Sequence, residues 1–388
     1  MRLRRCQFLM LELRERLSVD LELLLADEPR LAFQAQWVAL AAHLERPVTL
    51  DAQEIAMLQR LSASEWITAE DAGTDRDDAA LARLREKGLV FEASEPSAAH
   101  DADARLRDCH WHGLAAVAHR HLRWSGVDSI AEQQRFAELF DGQPMAHLQQ
   151  PPSPVFERGS PQQRIALPGR TASPLLDLLM RRATCRNFDQ GAALSNADFA
   201  FVLDATFRAL AQVEVTGVSV LKKGTPSAGG LHPTETYLLI QHVEGIAAGL
   251  YHYHVVDHAL EPLQPLDAAE VRRLASRLLA VQEYLADAPA IVVYVSRFER
   301  NFWKYRQHAK AYRAAILDVG HLSQTLYLAA TERGLGAFFT AAVNEADIEQ
   351  AFGLDPMQQG VIGVGGFGRR SATRREIEFD PLHAVWPD

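Results

Sequence analysis

The run Thr225-Pro226-Ser227-Ala228-Gly229-Gly230-Leu231-His232-Pro233-Thr234-Glu235 constrains this chain more than any other stretch. Adjacent glycines carry no Cβ and tolerate positive φ, so backbone here can lie directly against a flat ligand. Pro, Ser and Gly by themselves make an ordinary surface turn. Here they continue through His-Pro-Thr-Glu straight into a β-rich apolar stretch, which a simple turn does not need. Upstream, Arg181, Arg182, Thr184 and Arg186 stand at the end of a helical pattern and just before Phe188. Arginine is favoured at a helix C-terminus by the macrodipole whatever its role. Forked guanidinium groups and a hydroxyl in one short segment are also what a phosphate requires.

Composition sets the outer bounds. With 388 residues, 48% of them hydrophobic and 23% charged, the chain has the make-up of a globular protein, long enough for two domains or for one large domain with an appendage. A formal net charge of −10 argues against general affinity for polyanions, so nucleic acid is a poor partner. Cys6, Cys109 and Cys185 are odd in number and far apart, which points away from a disulfide framework and a Cys-rich zinc site and fits a reducing cytoplasm. The basic start Met1-Arg2-Leu3-Arg4-Arg5 is followed by an apolar run that Glu12 and Glu15 interrupt, so no signal-peptide core forms. No uncharged stretch is long enough to span a bilayer, and no membrane partner is expected.

Along the chain, the first hundred residues read as helices followed by a short strand. Asp51 to Leu61 and Asp77 to Lys87 have helical spacing, Ser64 to Ala69 is a short piece between them, and Gly88 to Glu92 resembles a strand leaving a helix C-cap. That order is winged-helix-like. The helix that would read DNA carries Asp75, Asp77, Asp78 and Glu86 against Arg76, Arg83, Arg85 and Lys87, a balance that favours a peptide or intramolecular partner. Glu92 to His100 is small, polar and Pro-interrupted, a linker composition, and the domain boundary is placed near residue 103. This gives domains 1–103 and 104–388. Gln149 to Gly169 holds five prolines and is expected to run extended over a surface. Farther on, Pro174 to Thr184 and Asn196 to Val213 have helical spacing, and Asn301 to Arg333 is rich in helix formers. Glu235 to Val243, Gly249 to Val256, Ala290 to Phe298 and Gly360 to Gly368 are strand-like. Helices, strands, helices and a late strand make an α+β layer fold and not a regular βαβ repeat.

Arg-Arg-x-Thr-x-Arg-x-Phe, then Pro-Ser-Ala-Gly-Gly-Leu-His-Pro-x-Glu-x-Tyr, then Gly249-Leu250-Tyr251-His252-Tyr253 follow one another in the C-terminal part. Trp303-Lys304-Tyr305, Ala311-Tyr312-Arg313, Leu317 to Gln324 and Gly334-Leu335-Gly336 continue the series. In order and content these resemble the FMN-dependent nitroreductase superfamily, and within it the SagB-type dehydrogenases that act on ribosomally made peptides. The resemblance covers about residues 104 to 388 and implies a nitroreductase-like fold, a mixed central sheet flanked by helices, in a homodimer with FMN at the subunit interface.

Position by position, the resemblance assigns Arg181, Arg182, Thr184 and Arg186 to the phosphate and ribityl segment. It places Pro226, Ser227, Ala228 and Gly229, with Gly230 completing the glycine pair, against the isoalloxazine ring. Gly334 and Gly336 match a backbone approach to the ring's other edge, and Arg369 and Arg370 match a second phosphate-binding basic group. Lys304 and Tyr305 match a pair implicated in proton abstraction in azoline-oxidising relatives. Desolvation beside a ring lowers a lysine pKa and a tyrosine hydroxyl can relay a proton, whereas a lysine on an amphipathic helix can also simply snorkel. The stretch from Lys304 to Ala311 is about two residues longer than the family's usual spacing, and two residues turn a helix face by about 200°. Either the extra pair bulges before the helix or Lys304 points away from the ring.

Other clusters carry less. Cys109-His110-Trp111-His112 and His119-Arg120-His121 lack a suitably spaced further ligand for a closed metal site, and no metal is expected. His252 and His254 alternate with Tyr251 and Tyr253 on a strand, one pair exposed and one packed. Cys185 reads as packing. Gly363 to Gly368 comes too late in the chain to open a dinucleotide-binding βαβ unit. The function expected is FMN-dependent oxidation of a ribosomally made precursor peptide, azoline to azole, with a cyclodehydratase as possible partner. The rivals are an NAD(P)H-dependent nitro or quinone reductase on the same fold and a non-catalytic peptide-binding scaffold, with a transcriptional regulator third.

Overall fold

The computed structural model describes residues 1–19, 31–139 and 150–386, without side chains for 16–19 and 31–33. Contacts divide the chain into two compact units. The first comprises Met1–Arg123, Ser296–Ile316 and Leu354–Gly360, and the second Trp124–Val295, Leu317–Gly353 and Val361–Asp388.

In the first unit, β1 (Arg2–Arg5), β2 (Leu9–Val19), β3 (Leu31–Ala41) and β4 (Val48–Leu50) precede helix α1 (Ala52–Arg60). After them come β5 (Ile67–Thr68), α2 (Ala79–Glu86), β6 (Val90–Glu92), α3 (Ala98–Asp108) and α4 (Gly113–His121). The expectation of helices up to the first short strand is therefore corrected: among the described residues, four strands precede the helix Ala52–Arg60. Residues 9–19 place Leu9, Leu11, Leu13, Leu17 and Val19 at alternate positions, a period of two broken at Glu15. Their Leu, Glu and Arg content has high helix propensity, and strand pairing overrides it. β2 and β3 pair antiparallel along their whole length, with Leu13 opposite Trp37. A second sheet has the order β5-β1-β6, and the short piece Ser64 to Ala69 contains its strand β5. β6 is an edge strand, and all three of its residues are buried.

α1 is closed by a capping box in which the Asp51 side chain accepts from Glu54 N while the Glu54 side chain accepts from Asp51 N. Arg83 and Lys87, on or just after α2, reach the same Glu54 carboxylate. The core of this part gathers Leu3, Leu58, Leu81, Leu84, Leu89 and Phe91.

The second unit begins with α5 (Ser129–Leu139), α6 (Pro174–Arg181) and α7 (Asn196–Phe207). Of the Pro-rich piece, residues 150–169 are exposed throughout and irregular but for one short 3-10 turn, as the composition implied; Gln149 lies outside the described residues. The strands β7 (Ala209–Val215) and β8 (Val218–Lys223) form a two-stranded hairpin. The helix expected to reach Val213 thus ends at Phe207. Thr216 and Gly217 both take positive φ (49° and 77°), the two-residue hairpin turn that matches strand twist, and the β-branched Val213 and Val215 join the ladder.

β9 (Thr234–Ile240), β10 (Gly249–His254), β11 (Ala259–Pro265), α8 (Ala268–Leu278), α9 (Glu283–Ala286), β12 (Ala290–Arg297), α10 (Phe298–Tyr305), α11 (Ala311–Glu332), β13 (Gly336–Thr340), α12 (Glu345–Phe352) and β14 (Gln359–Gly368) complete the chain. The six-stranded sheet has the order β11-β10-β9-β12-β14-β13. Alternate residues of β9 and β12 (Leu238, Ile240, Val292, Tyr294) face a core closed by α7 and by Val319, Leu322 and Leu326 of α11. The segment from Asn301 to Arg333 is two helices and not one. They are interrupted at residues 306–310, where Gln307 takes φ +48° and donates its N–H to His110 O at 2.9 Å.

Candidate functional site

The loop between β8 and β9 is pinned from one side by α11. Ser227 Oγ donates to Asp318 Oδ2 at 2.6 Å, and Ala228 N donates to Asp318 Oδ1 at 3.1 Å. Ser227 Oγ also accepts from His232 N at 3.0 Å, tying the loop to its own exit, and His321 Nδ1 lies 3.3 Å from Pro226 O. Gly229 and Gly230 take φ of +61° and +68°, values at which any side chain is strained. A Cβ built on Gly230 would meet nothing within 4 Å. The loop therefore combines a fixed underside with open backbone, which fits a flat ring. Burial raises the Asp318 carboxyl above the usual carboxylate range, and the hydrogen bonds from Ser227 and Ala228 hold part of that rise back. Asp318 and His321 belong to a segment legible as a motif in the sequence, but their role as the loop's anchors was not.

The arginine segment lies alongside β13 and the end of β14. Cys185 N donates to Ala337 O at 2.8 Å, and Phe188 bridges to Arg370. Cys185 is buried and its thiol is pushed up to about 12 by that burial, as a packing residue's would be. Thr184 Oγ1 and Tyr327 OH are 3.1 Å apart, Tyr327 OH accepts from Phe339 N at 3.0 Å, and the Arg182 guanidinium stands 5.3 Å from the Tyr327 ring centre.

Not every candidate arginine is available to an anion. Arg181 is paired with Asp177 at 3.0 Å, Arg369 with Asp189 at 3.7 Å, and Arg370 with Glu378. Arg182 and Arg186 make no ion pair among the described residues, and they fit a phosphate best. Glu378, which the sequence did not single out, organises this segment. Its carboxylate accepts from Arg186 N at 2.6 Å, Asn187 N at 3.1 Å, Asn187 Nδ2 at 2.9 Å and Trp386 Nε1 at 2.8 Å. Gly334 takes φ +69° in the turn before β13, and Gly336 packs against Cys185.

Loop and arginine segment meet the same helix on different sides. Asp318 and Tyr327 are nine residues apart, which at about 100° per residue puts their side chains about 180° apart around α11. Lys304 and Tyr305 end α10; Lys304 is exposed, with Nζ 5.6 Å from the Tyr305 ring centre, and the extra residues before Ala311 fall in the break between α10 and α11. Cys109, Trp111 and His119 serve packing: Trp111 Nε1 donates to Met357 O at 2.9 Å, and His119 lies against Trp111, Phe298 and Tyr312 with its pKa lowered to about 3 by burial. Among the described residues no group of three His, Cys, Asp or Glu is placed to hold a metal ion, and no helix is long and apolar enough to cross a membrane.

The stretch that contains both the loop and the arginine segment, residues 179–369, matches the model of the nitroreductase family. These residues form a nitroreductase-family domain. That family is one of oxidoreductases, and the mixed α+β architecture with its six-stranded sheet is the nitroreductase-like fold expected from the sequence. The trifolitoxin-processing protein TfxB of Rhizobium leguminosarum bv. trifolii is 34% identical over 145 residues, 35% of this chain and 36% of that protein. The match thus spans about a third of TfxB's own length. The microcin B17-processing protein McbC of Escherichia coli is 26% identical over 266 residues, 66% of this chain and 90% of that protein. Among solved structures, the E. coli microcin synthetase McbBCD complex with truncated pro-MccB17 bound aligns with a TM-score of 0.47 and 21% identity, covering 72% of this chain and 100% of that one.

Proposed function

We propose that the chain is an FMN-dependent dehydrogenase that oxidises azoline rings, thiazoline or oxazoline, to azoles in a ribosomally made precursor peptide. The observation that carries the cofactor part is the Pro226–Gly230 loop, anchored through Ser227 to buried Asp318 and open on its glycine side. The names of two relatives, a trifolitoxin-processing and a microcin B17-processing protein, support a peptide as the substrate class. FMN, when bound, would supply the hydride acceptor for the two-electron step. Arg182 and Arg186 would hold its phosphate, and the glycine loop would support the ring. Lys304, with Tyr305 beside it, would take the ring-carbon proton that leaves as the azoline becomes aromatic, so that one proton and one hydride account for the two hydrogens lost.

Because the loop and the arginine segment use opposite flanks of α11, we read the site as composite: the loop of one copy and the arginines of a second copy would hold one cofactor in a homodimer. Residues 1–103 would serve as the docking module for leader peptide or a cyclodehydratase partner. Exposed Leu11, Leu13 and Trp37 on the β2–β3 hairpin give it apolar surface for that task.

The test is to purify the protein, load it with FMN, and follow a synthetic thiazoline peptide by mass spectrometry for the loss of two hydrogens. Conversion by the wild type that Lys304→Ala abolishes without loss of bound flavin is the expected result. Bleaching of the flavin by a nicotinamide cofactor with no change in the peptide would replace this reading with that of a nitro or quinone reductase. Failure to take up FMN would leave a peptide-binding scaffold.

A further inference from the structure

We propose that Lys223 is a further cofactor-binding residue, a buried amine whose counter-charge is supplied only when an anionic ligand group sits at the Thr225–Gly230 loop. This inference rests on the cofactor reading above and names a residue that the arginine and glycine motifs do not include.

Lys223 is the last residue of β8, paired with Ala209, immediately before the loop. It is 3% exposed, whereas its neighbour Lys222 is solvent-facing as strand alternation requires. At that exposure the lysine head group has little room to snorkel, the usual escape of a buried lysine. Among the described residues its ammonium makes no hydrogen bond and no ion pair. The carboxylate that acts on it through space, Glu235, lies against His252 Nε2 at 3.3 Å, and His252 Nδ1 is in turn 2.6 Å from Glu261. Burial lowers the Lys223 pKa from 10.5 to about 8.

Two more buried donors flank the same loop: the Thr225 hydroxyl at its entry and the Thr234 hydroxyl at its exit have no partner. A buried ammonium without a counter-ion opposes folding, and an apolar residue of the same length would pack as well at no electrostatic cost. A lysine in this place therefore has its use in a state that brings a negative group. Two parts of a flavin mononucleotide have that chemistry: its phosphate, and the ring once reduced.

The experiment compares wild type, Lys223→Met and Lys223→Arg in apo and loaded forms, using thermal melting and titration with FMN and with riboflavin, which lacks the phosphate. Apo Lys223→Met is expected to melt above the apo wild type. It should bind FMN about tenfold more weakly, with Lys223→Arg close to wild type. Equal riboflavin affinity in wild type and Lys223→Met assigns the charge to the phosphate; weaker binding of reduced riboflavin by Lys223→Met assigns it to the ring. An apo Lys223→Met that melts lower, or one with unchanged affinity for both ligands in both redox states, overturns the proposal while leaving the cofactor reading in place. A wild type that takes up neither ligand overturns both. If Lys223→Met aggregates, Lys223→Gln replaces it with the same expected directions.

Discussion

Asp318 and Tyr327, nine residues apart on α11, hold the two halves of the candidate site on opposite flanks of one helix: Asp318 the Ser227–Ala228 backbone and hydroxyl, Tyr327 the Thr184–Arg182 segment. On the composite reading proposed above, the two halves that hold one ligand come from two copies. Asp318→Ala and Arg182→Ala/Arg186→Ala should each lose FMN on their own. When the two variants are refolded together, dimers containing one of each regain one intact site of two, about a quarter of all sites at random pairing. Flavin retained after gel filtration of the mixture, against none for either variant alone, is the expected measurement. A mixture as empty as its components would mean that both halves are needed on the same copy.

Glu378 is the hub of the C-terminal segment, and its removal is costlier than that of an exposed acid. It accepts from two backbone N–H groups, one amide and one indole, and it pairs with Arg370, which is largely buried. Replacing it by alanine leaves these donors and a buried guanidinium without their acceptor, a loss of about 3–5 kcal/mol. Burial alone would raise its pKa; the hydrogen bonds from Arg186, Trp386 and Asn187 and the Arg370 charge outweigh it and hold the carboxyl below its ordinary 4.5. A depressed folded-state pKa gives stability that is present above the ordinary value and lost as pH falls through the folded one. The urea midpoint gap between wild type and Glu378→Gln should accordingly be full at neutral pH and shrink on acidification below about 4.5. A gap that is constant with pH would contradict the charge-based role.

Lys223 shares the sign of that linkage, but here it is the charged form that burial disfavours. Its folded-state pKa is about 8 against 10.5, so between those values the unfolded chain binds more protons and the native state gains stability as pH rises. Cys6, Cys109 and Cys185, all raised to about 12, act the other way above their ordinary 9.0, so the raw curve mixes both effects. The difference between apo Lys223→Met and apo wild type isolates the lysine: the variant's advantage should be largest below pH 8 and vanish toward 10.5. A difference independent of pH would show that Lys223→Met acts through packing.

Much of the second unit was legible because its signals are local. The strand runs at 235–240, 249–254, 290–297 and 360–368 are rich in Ile, Val, Leu and Tyr, and the helices expected to start at Pro174 and Asn196 do start there, each capped by the preceding serine. The motif glycines at 229 and 230 do take left-handed φ. What was not legible depends on long-range pairing. Nothing near Leu9 says that its alternating run will find residues 31–41 and become a hairpin, and its helix-forming residues point the other way. Glu378 and Asp318 were hidden for the same reason: each acts on backbone at least 90 residues away in sequence, where spacing carries no information. The arginines were legible as a group, but which of them were already paired was not, because Asp189 and Glu378 become partners only in the folded chain.

Gly336 gives a test of how tightly the arginine segment is docked. A Cβ at this position would stand 2.5 Å from Cys185 Sγ and 2.6 Å from Cys185 Cβ, distances that real atoms do not adopt. Its φ is ordinary, so the requirement for glycine is one of space and not of backbone conformation. Gly336→Ala should therefore push the Thr184–Asn187 strand away from β13, at a cost of about 1–3 kcal/mol for overpacking, and weaken FMN retention with it. Cys185→Ala should not rescue the variant, because the Cβ of residue 185 remains in the way, whereas Cys185→Gly removes both contacting atoms and should recover part of the melting temperature. Rescue by Cys185→Ala equal to that by Cys185→Gly would place the clash on the sulfur alone, and full stability of Gly336→Ala by itself would mean that the segment is free to move off β13.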